Sequence, residues 1–321
     1  MPIPKIVHEF RSYFYDLVRQ IPEGKVTTYG TLAEALGDKI AARAVGKMLN
    51  ENPMPIVVPC HRVVMSNGKI GGFGMGVPKK KELLEGEGIT VRNDRIKNFE
   101  NVLFTDFEAD PVLKLLKKEQ KKAKKKVKIE GRVEGVKIVG GVDVSYGNNK
   151  AYGSLSLWRE GKEIDNIMVE KEISFPYIPT YLSYRELPVL IKLIKSSDIS
   201  PDVVLVDGNG ILHPRCLGLA SHLGVELDIA TIGVAKSLLL GTVNGDVSHQ
   251  EPVKEIADKE KILGYAFLSS SRAKNPIYVS PGHKVSFETS LEIVKNHCEF
   301  KIPNPIRNAH IAANEMRKNH E

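Results

Sequence analysis

The stretch DVVLVDGNGILHPRCLGLASHLG, residues 202–224, decides the fold class of the longer part of this chain. Residues 203–206 form an uninterrupted apolar run of the kind found in strands buried on both faces. The run ends in Asp207, passes through a Gly-Asn-Gly turn and resumes as the helical pattern LGLASHLG. Working outward, VKIVGGVDVSYG (136–147) reads as a strand ending in a second carboxylate, Asp143. AYGSLSLW (151–158) and NIMVEKEIS (166–174) read as the next two strands, an antiparallel start. IATIGVAKS (229–237) is a further strand leading into Lys236. Strands followed by strand–helix alternation predict an α/β domain with a mixed sheet.

At 321 residues the chain suits two domains. Its 42% apolar and 26% charged content is that of a globular protein, and three cysteines imply no disulfide framework. The expectation is a reducing, cytoplasmic compartment. No apolar run is long enough to span a membrane, and MPIPKIVHEF does not read as a signal peptide. The net charge of +7 is local. Residues 114–128, KLLKKEQKKAKKKVK, hold nine lysines and one glutamate; the remainder carries 37 basic and 38 acidic residues. Such a cluster reads equally as a polyanion-binding surface, most often for nucleic acid, or as a solvated helix. Composition shifts near residue 105, which predicts domains over 1–105 and 106–321, the second opening with the lysine-rich helix.

The first part reads as mainly helical. Residues 5–20 predict an amphipathic helix. In TYGTLAEALG (28–37), Thr31 and Glu34 have capping-box spacing and Gly37 is a stop. IAARAVGKMLNEN (40–52) is a second helix, and the two predict a helix-turn-helix. Small residues surround a single Arg43, so the helix can approach either a core or a nucleic-acid groove closely.

VVPCHRVV, residues 57–64, raises the first chemical question. Cys60 is either a small core residue or a nucleophile whose base is His61. Neighbours on a strand face opposite ways, so the pair needs an irregular backbone, which Pro59 favours, or a bridging water. The surroundings favour the nucleophile. RAVGKMLNENPMPIVVPCHRVV (43–64), with GKVTTYGTLAEALG upstream and GKIGGFGMG and EGEG downstream, resembles the O6-alkylguanine-DNA alkyltransferases over about residues 8–92. The resemblance implies irreversible transfer of an alkyl group from guanine O6 to Cys60, with no cofactor. It implies His61 as a water-relayed base oriented by Glu87. It also implies Tyr29 as a proton donor or a residue crowding the phosphate, and Arg43 as the finger filling the space of the extruded nucleotide. Asn52 would brace the turn, and Phe73 and Gly74 would lie in the loop closing over the alkyl group. One departure is that many such enzymes carry a separate domain ahead of this region.

Asp143 and Asp207 pose the second question. If their strands are neighbours, two carboxylates meet at one sheet edge, an arrangement that suits a hard cation; if not, each simply ends a strand and faces water. GGVDVSY, FPYIPTYLSYRELP, LVDGNGILHPRCLGLASHLG and TIGVAKS together resemble endonuclease V from about residue 108 onward. The resemblance implies a ribonuclease H-like fold and Mg²⁺, with Mn²⁺ able to substitute, held by Asp143, Glu186 and Asp207. Pro188 is expected in the first turn of the helix bearing Glu186. His213 and Lys236 match residues near the phosphate, His310 in PNPIRNAH is a further candidate, and Arg185 could position a phosphate. Tyr177 would wedge into the vacated stack. Gly208 and Gly210 would let backbone N–H groups read a flipped hypoxanthine.

Together these readings predict a two-activity DNA repair enzyme. It would act on double- or single-stranded DNA containing O6-alkylguanine or deoxyinosine, and nick at the second phosphodiester bond 3′ to the latter. Two other readings are a lesion-binding domain that delivers the nuclease, and an endonuclease acting on inosine in RNA.

Overall fold

A computed structural model describes residues 4–321 except Arg132 and Glu134; the first three residues of MPIPKIVHEF lie outside it. The chain divides into two compact units, Pro4–Lys118 with Ser174–Pro179, and Glu119–Ile173 with Thr180–Glu321.

The smaller unit is mainly helical. The expected helix over 5–20 is interrupted at Glu9, giving a single turn, Lys5–His8, and then α1, Phe10–Arg19. α1 buries Phe10, Phe14, Leu17 and Val18, the i, i+4, i+7, i+8 stripe of an amphipathic helix. α2 (Tyr29–Ala35) starts three residues earlier than the capping-box reading places it. Thr28 is the cap, its hydroxyl accepting from Thr31 N–H at 3.0 Å, and Thr31 sits inside the first turn. Gly37 stops the helix with φ +101°, while Gly37 and Asp38 donate to the Glu34 and Ala33 carbonyls. A Cβ here would stand 2.9 Å from the Lys114 amide nitrogen, so only glycine fits. A short 3₁₀ turn, Lys39–Ala41, leads into α3 (Ala42–Asn50), which buries Ala44, Val45, Met48 and Leu49 and leaves Arg43 exposed. Thr27–Thr28 pair in parallel with Val63–Val64. α4 (Val77–Gly86) follows, covering a core that includes Val26, Val64, Ile70 and Leu84.

The boundary expected at residue 105 moves into α5 (Val112–Lys124), the lysine-rich helix. Residues beyond 105 belong to the first unit because their backbone is tied there. Gln20 exchanges two hydrogen bonds with Glu108, Tyr13 donates to the Asp110 carbonyl, and Leu113 N–H donates to the Leu36 carbonyl. Ser174–Pro179 joins the same unit because Phe175 and Ile178 are fully buried, with the Phe175 ring 4.7 Å from that of Phe10.

The larger unit is built on a nine-stranded sheet: β1 (Ile138–Gly147), β2 (Lys150–Arg159), β3 (Lys162–Glu172), β4 (Val203–Asp207), β5 (Thr231–Ala235), β6 (Thr242–Val243), β7 (Val253–Asp258), β8 (Lys261–Phe267) and β9 (Ile277–His283). The order is β6-β7-β8-β9-β5-β4-β1-β2-β3. β1, β4 and β5 are mutually parallel and the remaining pairings antiparallel, so the sheet is mixed as the sequence predicts. α6 (Leu182–Lys195) and α7 (Leu219–Leu227) pack on one face over Val142, Leu155, Val204 and Val206. α8 (Phe287–Asn296) and α9 (Asn304–His320) lie on the other, where Val139, Val203, Leu205 and Ile306 meet. Among the described residues no helix is long and apolar enough to cross a membrane.

Two local expectations change. β1 does not end at Asp143; its antiparallel pairing with β2 continues to Gly147, so the aspartate is mid-strand. Pro188 is not in the first turn of its helix but inside α6, so Glu186 lies in the second turn. The proline removes one ladder hydrogen bond, and the helix persists because Leu187, Val189, Leu190 and Leu193 bury its apolar face.

Candidate active sites

In the smaller unit Cys60 opens a 3₁₀ turn, Cys60–Arg62, which turns the chain out of extended geometry directly after Pro59. The thiol is buried and free. Asn52 braces this turn from below, donating from Nδ2 to the Val58 carbonyl at 3.0 Å and to Cys60 Sγ at 3.1 Å. His61 is 1% exposed, with Nε2 2.8 Å from Glu87 Oε1. An ionised carboxylate can only accept, so Nε2 carries the proton and Nδ1 keeps its lone pair. Nδ1 is buried with no hydrogen-bond partner. Burial lowers the His61 pKa against the opposing pull of Glu87, so the ring is neutral and basic at Nδ1. Burial would raise the Glu87 pKa, but hydrogen bonds from Arg62 and His61 outweigh it and hold the carboxyl below its usual range.

Tyr29 is half-buried, and burial, then the nearby Cys60, raises its pKa, keeping the hydroxyl protonated. A Cβ on Gly71 would lie 3.7 Å from that hydroxyl, and one on Gly46 3.7 Å from the ring. Phe73 stands edge-on to His61 at 6.2 Å between ring centroids, and Gly74 is exposed.

Two residues of this site escape sequence reasoning. Arg62 grips Glu87 through Nε and a terminal nitrogen at 2.9 Å each and also donates to the Ile21 carbonyl. It was hidden beside the Cys-His pair. Lys80 is fully buried and donates to the carbonyls of Val63 at 2.6 Å and Gly72 at 3.1 Å. It sits in a KKK run that reads as solvated, although its spacing of four from Leu84 puts it on the buried face of α4. Burial pushes its pKa down to about 8, the neighbouring Cys60 acting in the opposite sense. The unfolded chain holds this proton up to about 10.4. Between about pH 8 and 10 the unfolded state therefore binds more protons, and the fold should gain stability as pH rises. Urea midpoints across that window should climb for the unsubstituted chain and lose that component in Lys80→Met.

In the larger unit the register Val142↔Val206 places Asp143 and Asp207 on the next rung of parallel strands. They face the α9 side, the face shared by Val139, Leu205 and Ile306. His310 of α9 meets Asp143 Oδ2 through Nδ1 at 2.7 Å, and Lys236, just past β5, meets Asp207 Oδ2 at 2.5 Å. Burial and then the Asp207 charge push the Asp143 pKa up to about 6. Burial opposes the Lys236 charge, but Asp207 more than offsets it and raises the ammonium pKa. Glu186 reaches this edge from the α6 side, and burial pushes its pKa up to about 8, Asp143 and Asp207 adding to the effect. Among the described residues no three His, Cys, Asp or Glu side chains are spaced to hold a metal. The carboxylates instead carry protein partners: His310, Lys236 and, for Glu186, the Tyr146 hydroxyl at 2.9 Å.

The other expected residues divide. Tyr177 is 56% exposed, standing between the buried Phe175 and Ile178. Arg185 lies over the Tyr146 ring, 4.1 Å from its centroid. His213 is turned inward: Nδ1 accepts from Arg215 N–H at 3.2 Å. Burial and then Arg215 push its pKa down to about 4, so it is neutral rather than a phosphate-binding cation. Gly208 and Gly210 allow close backbone packing, since a Cβ on Gly210 would stand 2.1 Å from the Pro281 oxygen. Both their N–H groups are already engaged, with the Val234 carbonyl at 3.1 Å and Ser280 Oγ at 2.9 Å. The amides of these two glycines are thus occupied within the fold.

Comparison with known proteins follows the same division. The family model described as Endonuclease V matches residues 121–311, and that described as 6-O-methylguanine DNA methyltransferase, DNA binding domain, matches residues 9–89. A bifunctional methyltransferase/endonuclease of Picrophilus torridus is 39% identical over 309 residues, covering 96% of this chain and 97% of its own. One of Thermoplasma volcanium is 36% identical over 301 residues, covering 93% and 88%. Among solved structures, human endonuclease V superposes with a TM-score of 0.59 at 31% identity, covering 65% of this chain and 99% of its own. Ciona intestinalis endonuclease V, in complex with DNA containing an inosine followed by a ribo-adenosine, gives 0.60 at 30%, covering 66% and 100%.

Proposed function

Because the chain belongs to the bifunctional methyltransferase/endonuclease family, we propose that it repairs two purine lesions, O6-alkylguanine and deoxyinosine, at two separate sites. It is a DNA repair protein with a methyltransferase region and an endonuclease V region.

The observation that carries the proposal is the Glu87–His61 pair beside the buried, free Cys60 thiol. In transfer, Cys60 Sγ attacks the alkyl carbon on guanine O6, the C–O bond breaks, and an S–C bond forms. The thiol proton passes through a water to His61 Nδ1, the ring position left open by Glu87. The protonated Tyr29 hydroxyl supplies a proton to the departing base. The thioether has no route back to a thiol, so each chain reacts once. Exposed Arg43 on α3 is available to fill the vacated stack, and the α2–α3 pair with its short turn supports the helix-turn-helix reading.

For nicking, Asp143, Glu186 and Asp207 would hold Mg²⁺ or Mn²⁺. All three offer the hard oxygens that such ions take, and in the metal-free arrangement they are met by His310, Lys236 and Tyr146. The bound ion would activate a water and stabilise charge on the scissile phosphate. His310 and Lys236, which meet two of these carboxylates, would lie near the phosphate, and the exposed Tyr177 would serve as the wedge. The order β3-β2-β1-β4-β5, three antiparallel strands followed by two parallel additions, supports the ribonuclease H-like reading. The inosine-containing DNA bound by the related Ciona enzyme supports deoxyinosine as the target, and the cut would fall at the second phosphodiester bond on its 3′ side. The exposed lysines of α5 would add affinity that falls steeply with salt.

The test is one incubation with two duplexes. With O6-methylguanine DNA, the intact mass should rise by one methyl, mapped to Cys60. With deoxyinosine DNA and Mg²⁺, one strand should be nicked. An unmodified chain that still binds the first duplex would make the smaller unit a lesion sensor. Nicking of an inosine-containing RNA in preference to DNA would make the second activity a ribonuclease.

A further inference from the structure

The chemistry above leaves unused a basic cavity of about 340 Å³ in the larger unit. Its walls are residues 270–275, in the connection between β8 and β9, and residues 299–301, in that between α8 and α9. The Ser269 hydroxyl donates to the Lys301 carbonyl at 2.7 Å and ties the two connections together. Arg272, Lys274 and Lys301 bring three positive charges to the cavity, against the one negative charge of Glu299. Phe300 shares this wall and is 48% exposed, with the Arg307 guanidinium 4.5 Å from its ring centroid. Arg307 stands on α9 three residues before His310, so the two share one face of that helix, roughly 5 Å apart along its axis. Both are exposed, and His310 meets Asp143. Through Phe300 and Arg307 the cavity thus adjoins the face of α9 that reaches the carboxylate edge.

We infer that this cavity binds one unpaired nucleotide of the substrate DNA strand, its base stacked on Phe300 and the adjoining phosphates met by Arg272, Lys274 and Lys301. The inference rests on the nuclease reading proposed above, which brings DNA to the Asp143 edge of α9. A lone exposed ring is ordinary on a protein surface, and so is a lone cation. Their combination is what a single strand requires: cations that track the backbone and an aromatic face on which a base can stack. The volume lies within the range of small-ligand clefts. A paired base has both faces covered by its neighbours in the duplex, so the ring selects a base that has left the stack. Arg307 adds a cationic contact on the path from His310 to the ring, about one helical turn along α9. The site would hold the strand away from the cut without reading its sequence, since every base offers a face to the ring.

The experiment uses the full-length chain and single-stranded oligonucleotides carrying one deoxyinosine. A photoreactive 5-iododeoxyuridine is placed at successive positions on either side of the lesion, and crosslinked peptides are mapped. One position should crosslink to the peptide containing Phe300. By fluorescence anisotropy, Phe300→Ala should bind the same strand about tenfold more weakly, the scale of one lost stacking contact, and Phe300→Trp should restore the affinity. Lys301→Gln should reduce the slope of log affinity against log salt by about 0.7, the share of one phosphate contact on a single strand. Both side chains lie on the surface, so the fold should tolerate each change. No crosslink to that peptide from any position, undiminished affinity in Phe300→Ala, or an unchanged salt slope in Lys301→Gln would overturn the inference and leave deoxyinosine nicking in place. If the unsubstituted chain fails to nick the same strand with Mg²⁺, the nuclease reading fails and the inference fails with it.

Discussion

The Cys60→Ala chain is expected to gain no methyl group from O6-methylguanine DNA, where the unsubstituted chain gains one. The loss should be complete, because the substitution removes the accepting atom itself. The remaining thiols do not replace it. Burial pushes Cys298 up to about 12, which keeps it protonated and inert. The scaffold should survive: His61, Glu87 and Arg62 keep their mutual hydrogen bonds, and deleting one sulfur from a buried site costs on the order of 1 kcal/mol. Nicking of deoxyinosine DNA should continue at its original rate. Intact mass and strand scission on one preparation read both results. Loss of both activities in a folded chain would defeat the two-site reading.

Asp143→Asn should produce the opposite pattern. Methyl uptake stays at one per chain, while nicking falls by about 10³-fold or more, the scale on which a single preorganised charge-stabilising group acts. The same substitution should leave the metal-free protein at least as stable, and a direction can be assigned. Asp143 titrates at about 6 in the fold, pushed up first by burial and then by Asp207, and lower when unfolded. The folded state therefore binds more protons between about pH 4 and 6, and stability is lost as pH rises through that window. Asparagine cannot ionise, so that loss disappears. A thermal midpoint at pH 7 that is equal or higher, combined with failed nicking, would be the signature of a strained functional carboxylate. A lower midpoint would mean that Asp143 contributes to the fold.

Much of this arrangement is written in local patterns. The run 203–206 ending at Asp207, the strand leading to Lys236 and the helix after Gly218 follow from apolar runs and their breakers. What is not local was not legible. The extension of β1 past Asp143 comes from pairing with β2. The inclusion of Pro188 within α6 comes from the burial of that helix's apolar face, which outweighs one lost hydrogen bond. The engagement of the Gly208 and Gly210 amides depends on Val234 and Ser280, from strands far along the chain. Lys80 shows the limit in the first site. Charge predicts solvent, and only the carbonyls of Val63 and Gly72 explain why an ammonium is buried there. Residue types announced the two chemistries; the third dimension supplied the partners that orient them.

The sharing of Ser174–Pro179 and of residues 106–118 with the smaller unit has a consequence for any attempt to separate the two units. A stop codon or recombination point at the change of composition would not release two sound proteins. The upstream product would lack Phe175, which fills space beside Phe10. The downstream product would carry Phe175 and Ile178 into water, at roughly 1.5–3 kcal/mol for each large apolar side chain. Any single cut between the two units thus damages both products.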